Sequence, residues 1–363
     1  MKQNWIIKKL GEVCEIKDSQ RKPITANKRV QGEYPYYGAT GILDYIEGYL
    51  FDEDLVLLGE DGAKWGPGDN SAFMISGKTW VNNHAHVLKP HNYIDYQWLI
   101  NFLNYSDLTK FVKGATVPKL NQENMKAIPI PIPPLADQRR IVAILDDKFA
   151  KIDALKAAAQ KNLDNAEQLW KAKLEKEFGN KEWKMMKLGE VAKKMLAGGD
   201  APKDDYSETK TEQYNIPIYA NAVADNGLYG YTNKAIVTEP SITIAARGSG
   251  TGTVFLRNDS YYPIVRLIVV IPNTKITLQK YVYYAVGNIK IAHSGSAIPQ
   301  LTIPMIKQYE IPIPPLAEQT AIVSRLDALS AQISELKAKY RRQIECCDEL
   351  RQSLLRAAFE GEM

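Results

Sequence analysis

The sequence predicts an α+β architecture: two tandem mixed α/β domains separated by two long α-helices packed as an antiparallel coiled coil, the whole forming a pseudo-twofold internal repeat. Three observations predict it. The phrase "AIPIPIPPLADQ" at 127–138 returns as "QYEIPIPPLAEQ" at 308–319. Apolar residues at helical spacing follow each copy for roughly 40 residues, about 60 Å of helix. A chain of 363 residues is also too long for one ordinary core. The boundaries read as a first globular domain at 1–134, a first spacer helix at 135–180, a second domain at 181–315 and a second spacer helix at 316–363.

The repeat begins with "WIIKKLGEV" at 5–13, which recurs as "WKMMKLGEV" at 183–191. "YPYYGATGILDY" at 34–45 has a looser echo in "IPIYANAVADNGLYGY" at 216–231, and "GATVPKLN" at 114–121 returns as "GSAIPQLT" at 295–302. The centres diverge: "LLGEDGAKWG" at 57–66 stands where the second half has "IAARGSGTGTV" at 244–254. The runs "NHAHVLKP", "SITIAA", "TVFLRN" and "YYPIVRLIVVI" are rich in β-branched and aromatic residues and predict short strands. Helix is expected near 95–112 and 278–293.

Each domain ends in prolines that lack an amide hydrogen and hold their neighbours extended. Pro131, Pro133 and Pro134 in the first copy, and Pro312, Pro314 and Pro315 in the second, therefore form stiff hinges, and helix starts only after them. An acid in each first turn, Asp137 or Glu318, suits the helix dipole. The seam expected on the first helix is Ile141, Leu145, Ile152, Leu155, Ala159, Leu163, Ala166 and Leu169. On the second it is Leu326, Leu329, Ile333, Leu336, Tyr340, Ile344, Cys347, Leu350 and Leu354. Helices of that length bury such a stripe by packing on each other.

Composition bounds the function. Hydrophobic residues make up 45% and charged residues 24%, the balance of a folded globular chain. The net charge of +4 permits nucleic-acid binding without demanding it. No stretch approaches the ~18 apolar residues of a membrane span, and the first residues do not read as a signal peptide. Cys14, Cys346 and Cys347 give neither a disulfide framework nor metal-ligand spacing, which fits a reducing cytoplasm. Cytoplasmic location and no membrane partner are the expectations.

In this order, and twice over, the "LGEV" start, the G-x-x-x-P-x-L phrase, the "IPIPPLA-[DE]-Q" phrase and the following helix resemble the specificity subunit of type I restriction-modification systems. The resemblance covers nearly the whole chain. It implies two target-recognition domains, each reading one half of a bipartite double-stranded DNA site, held apart by the two helices. It implies that this chain has no catalytic activity and no cofactor of its own. It implies partners too: two modification subunits that use S-adenosylmethionine to methylate adenine, and restriction subunits that use ATP and Mg to translocate and cut DNA.

A DNA reader needs cations for phosphates and amide, guanidinium or carboxylate groups for base edges. In the second domain the glycine loop offers Arg247, Ser249 and Thr251, with Tyr219, Asn221 and Asn226 in the loop before it. In the first domain Tyr36, Tyr37, Glu60, Asp61, Lys64 and Trp65 occupy comparable loops. Lys119 and Gln300, within the repeated P-x-L phrase, complete the set. Trp170, Phe149 and Phe359 are candidates for docking the modification subunits, or are core.

Other motifs fail on context. "SGKT" at 76–79 lacks the first P-loop glycine, since position 72 is Ala72, and runs into a predicted strand. "RGSGTGT" has Thr253 where a dinucleotide fingerprint needs its third glycine. His84 and His86 alternate on a predicted strand with no evident third metal ligand. A coiled-coil adaptor that binds no DNA remains an alternative: residues 1–135 balance 15 basic against 15 acidic residues. Residues 211–309, with eight basic and four acidic, favour DNA. A self-contained methyltransferase is disfavoured, because both Pro-Pro pairs precede leucine rather than an aromatic residue.

Overall fold

The computed structural model describes residues 5–114, 116–179, 182–248, 250–289 and 300–363. The chain divides into two compact units, Met1–Gln160 with Arg341–Met363, and Lys161–Tyr340.

In the first unit the central antiparallel sheet runs in the order Cys14–Ile16, Ala85–Pro90, Leu55–Gly59, Ala72–Ile75. Leu55–Gly59 is buried throughout, as expected of a strand with neighbours on both edges and side chains packed on both faces. A second sheet orders Gly41–Ile46, Gln31–Gly38, Lys78–Val81 and Phe51–Asp52. The helix Tyr96–Tyr105 packs on the central sheet. Asp95 caps it by accepting from the Trp98 amide. The helix expected to reach 112 stops at Tyr105, because the Ser106 hydroxyl bonds back to the Phe102 carbonyl and Asp107 ties the Thr109 amide into a turn.

The second unit repeats this plan. Its central sheet runs Ala192–Ala197, Ile268–Pro272, Ser241–Ile244, Val254–Arg257. A three-stranded sheet orders Leu228–Thr232, Ile216–Tyr219 and Tyr262–Pro263. The helix Gln279–Gly287 ends before the expected 293; residues 290–299 lie outside the described set. The run "YYPIVRLIVVI" is split into Tyr262–Pro263 and Ile268–Pro272 by a turn in which Val265 and Arg266 have φ of 52° and 59°. That left-handed conformation is unfavourable for a β-branched residue. It is held by the Val265 and Arg266 amides donating to the carbonyls of Gly199 and Gly198.

The proline phrases are strands. Pro129–Ile132 pairs antiparallel with Ile6–Lys9, and Glu310–Ile313 with Lys184–Lys187. Trp98 Nε1 donates to the Pro131 carbonyl, and the Tyr281 hydroxyl donates to that of Pro312. The last residue of each phrase is a fully buried glutamine. Gln138 accepts from the Asp95 amide and donates to the carbonyls of Tyr93 and Pro133. Gln319 accepts from the Leu278 amide and the Thr277 hydroxyl and donates to the carbonyls of Ile276 and Pro314. Each hinge is thus a braced junction, and Pro133–Pro134 and Pro314–Pro315 are the short link into the helix.

The long helices are Leu135–Phe178 and Leu316–Glu360. In the first unit Asp153 pairs with Arg351 at 2.5 Å and Lys156 with Asp348 at 2.7 Å. In the second, Glu167 pairs with Lys337 and Glu177 with Arg325. Rising numbers on one helix meet falling numbers on the other, so the packing is antiparallel. The buried seam is narrower than the expected stripe. Leu145, Ile152, Ala159 and Ala166 are buried at seven-residue intervals, and Leu326, Ile333 and Cys347 keep the same register with half-buried Tyr340 between the last two. Leu155, Leu169, Leu336 and Leu350 are exposed, because a two-helix seam covers only about two positions in seven. Of the docking candidates, Phe359 is core, packed on Trp98 and Tyr105, whereas Trp170 against Tyr284 and Phe149 beneath Arg351 are half-buried.

Candidate nucleic-acid interface

The two central sheets superpose by hydrogen-bond register. In the first unit Gly59 donates its amide to the Ser71 carbonyl and Leu120 donates to Glu60. In the second, Ala245 donates to Thr253 and Leu301 to Ala246. Beyond the end of each buried strand comes an isolated bridge, Asp61 with Lys119 and Arg247 with Gln300. The neighbouring strand extends the correspondence. Leu58 faces His86 and Ile244 faces Ile268, so His84 and Arg266 are also equivalent, two residues earlier.

Chemistry at the strand ends is opposite, a carboxylate at Asp61 against a guanidinium at Arg247. In the first unit Asp61 bonds His84 and lies 3.7 Å from the Lys119 ammonium, whose closer partner is Glu60 at 2.9 Å. The carboxylates raise the Lys119 pKa, led by the Glu60 hydrogen bond. Arg21 holds Glu60 from behind at 2.6 Å and donates to the Ala85 carbonyl. Beneath lies buried His86, with Nδ1 2.7 Å from Asp18 and Nε2 2.7 Å from the Leu120 carbonyl. Burial pushes the Asp18 and Glu60 pKa values up, but His86 and the Val87 amide for the one, and Arg21 and Lys119 for the other, outweigh it. Both carboxyls are held below their usual range.

In the second unit the same frame is apolar underneath, with Ala197 paired to Ile268 and Ala246 in the place of Glu60. Arg247 and Arg266 are exposed, and no side-chain partner holds either among the described residues. The backbone of the Arg247 loop is fixed by Asn221, whose amide oxygen accepts from Ala246 N and whose nitrogen donates to the Arg247 carbonyl at 2.9 Å. Thr251 donates to the Gly248 carbonyl. Arg257 is buried with its guanidinium 3.5 Å from the centre of the Tyr219 ring, and it donates to the Asn226 carbonyl at 2.6 Å. Desolvation lowers its pKa. Asp225 and Asn226 have φ of 47° and 52°.

The sequence-derived candidates separate accordingly. Asp61 with Lys119, and Asn221 with Arg247 and Gln300, come together at the strand ends. Tyr36 and Tyr37 lie on the strand Gln31–Gly38 instead of in a loop. Tyr36 is buried, its hydroxyl spent on the Ile24 backbone and its ring under Arg29; Tyr37 packs on Phe73. Trp65 is core, with Nε1 donating to the Gly59 carbonyl. Glu60 is buried in its ion pairs, Lys64 is exposed on the turn, and Tyr219 ends a strand as a platform for Arg257. Asn226 is exposed, and Ser249 lies outside the described residues.

Asp18, Arg21, His84, Arg257 and Arg266 escape sequence reading, because their roles come from register between distant strands; the alternation of His84 and His86 was the one signal available. Asp18 and Glu60 do bring carboxylates to His86, with ligand atoms within 4.8 Å of one another. His84 does not join them. Both His86 nitrogens are engaged and Arg21 already neutralises the carboxylates, so this donor set does not suit a divalent cation.

The family model described as "Type I restriction modification DNA specificity domain" matches residues 2–164 and again 180–346. A putative type I restriction enzyme specificity subunit of Haemophilus influenzae is 31% identical over 342 residues, covering 88% of this chain and 86% of that protein. A putative type I specificity subunit of Mycoplasma pneumoniae is also 31% identical, covering 88% of each. Among solved structures, a chain from work on complex assembly and conformational transition of a type I R-M system superposes with a TM-score of 0.79 at 18% identity over 99% of both chains. The HsdS subunit of Thermoanaerobacter tengcongensis gives 0.56 at 18%, covering 100% of this chain and 98% of that one.

Proposed function

Because the chain belongs to the type I restriction-modification DNA specificity family, with two specificity domains in tandem, we propose that each unit reads one half of a bipartite duplex site and that the helices set the distance between the halves. The chain is the DNA-specificity component of its system, and DNA, modification and restriction subunits are its partners. The observation that carries the two-reader model is the repeated frame with opposite chemistry at equivalent strand ends. A chain that needed one site twice would repeat the side chains as well as the frame.

Two modification subunits dock along the helices in this reading. Support comes from exposed leucines placed alike in both units. Leu155 and Leu350 lie among the ion pairs Asp153–Arg351 and Lys156–Asp348; Leu169 and Leu336 flank Glu167–Lys337. Contiguous apolar groups rimmed by charge mark association surfaces. The chain contributes specificity and no catalytic group; S-adenosylmethionine is bound by the modification subunits, and ATP with Mg by the restriction subunits, in the cytoplasm.

Mass measurement of the complex with its modification partner, joined to genome-wide mapping of methylated adenines, tests the reading. Two modification subunits per chain and a split target sequence are expected. Methylation at a single uninterrupted sequence, or a complex that binds random duplex as tightly as its target across a salt series, would sink it.

A further inference from the structure

We infer that positions 61, 84 and 119 in the first unit, and 247, 266 and 300 in the second, form the base-reading edge of each unit, and that the two edges select opposite base chemistry. The inference rests on the DNA-specificity reading and adds the class of base that each half-site presents.

Arg247 and Arg266 are exposed, and among the described residues neither is held by a carboxylate. Gln300 lies beside Arg247 across the bridge and offers both a donor and an acceptor. A guanidinium carries donors only, and in the major groove guanine presents two acceptors, N7 and O6, at the spacing of its fork. Asn221 holds the backbone at the Ala246 amide and the Arg247 carbonyl, so the side chain leaves from a fixed base and little ordering is left to binding. A structural arginine in this unit looks different: Arg257 is buried and bonded to Thr243 and Asn226.

At the matching place the first unit carries the Asp61 carboxylate, with Glu60 directly behind it. Their partners Lys119, His84 and Arg21 are already tied to them. A carboxylate facing N7 and O6 of guanine sets acceptor against acceptor. It suits instead an amino group, the N4 of cytosine or the N6 of adenine. The first half-site therefore presents an amino-bearing base to this edge, and the second presents guanine.

The test maps methylated adenines in a methylation-free host that carries the full chain with its modification partner. Arg247→Ala is expected to erase a guanine preference at one position of one half-site, lowering discrimination on the order of ten- to a hundred-fold, with the other half unchanged. Arg266→Ala relaxes the same half, and Asp61→Asn relaxes the opposite half. Uniform loss of methylation with an unchanged recognised sequence would overturn the inference, since it marks a phosphate contact; so would a second half-site without guanine. Exchanging residues 181–315 for those of a relative separates the two levels. If that exchange changes one half-site while Arg247→Ala changes none, the base assignment fails alone. If it changes neither half-site, the DNA-specificity reading fails with it.

Discussion

Beneath the reading edge, Asp18, Glu60 and His86 of the first unit stand where the second has Ala197, Ala246 and Ile268. One frame has therefore accepted an ionic filling and an apolar one. A buried ionic set is weak evidence for stability, but removing one member leaves its partner uncompensated. Asp18 and Glu60 titrate below their usual range in the folded protein. Their contribution is complete above the unfolded values near about 4 and is lost as pH falls through the lower folded values. Asp18→Asn is accordingly expected to be less stable than the parent at pH 7, with the gap closing below about pH 4, where the parent's own carboxyl becomes protonated. Urea unfolding followed through buried Trp65 and Trp98 measures it; a gap that widens toward acid would exclude this account. Little of the cluster was legible in the sequence. Asp18 and His86 are 68 residues apart, and only the strand register brings them together. Tyr36 and Trp65 misled for a related reason, since an aromatic residue near glycines reads equally as a surface platform or as core.

Elements were far more legible, because their causes are local. Proline excludes helix, the seven-residue recurrence of apolar positions demands it, and both helices begin where the proline phrase ends. Strand runs were visible in composition, yet the break at Val265–Arg266 was not, because no glycine or asparagine marks that turn and tertiary hydrogen bonds hold it. The repeated "LA-[DE]-Q" had a visible start and a hidden purpose. Its glutamine staples the helix to the loop before Tyr96–Tyr105 in one unit and before Gln279–Gly287 in the other. Gln138→Leu strands the Asp95 amide and the Tyr93 and Pro133 carbonyls in a buried site. At about 1–3 kcal/mol per unsatisfied group, with partial relaxation, a loss of roughly 2–4 kcal/mol is expected. Hydrogen exchange should show opening confined to the junction around residues 93–98 and 131–138, while the strand Leu55–Gly59 keeps its protection. Uniform loss of protection across the unit would mean that the glutamine holds the whole fold and not its junction.

For the molecule as a whole, the doubling of domain and helix was readable from repeated phrases alone, whereas the target bases were not, since base choice depends on which side chains the fold brings to one edge. What the doubling achieves is tested by changing the length of the helices. Insertion of four residues after Ala159, a buried seam position, adds about 6 Å of helix and rotates the downstream part of that helix by roughly 400°, close to one full turn. The face is nearly preserved and the length is not. B-DNA rises about 3.4 Å per base pair, so the unread spacer of the methylated sequence is expected to lengthen by one or two base pairs with both half-sites intact. The insertion breaks the seven-residue recurrence, and a local bulge that absorbs part of the added length would leave the shift at one base pair. Methylation mapping of the variant gives the answer directly. An unchanged spacer combined with a changed half-site sequence would show that the helices shape the reading edges, and the ruler role would have to be abandoned.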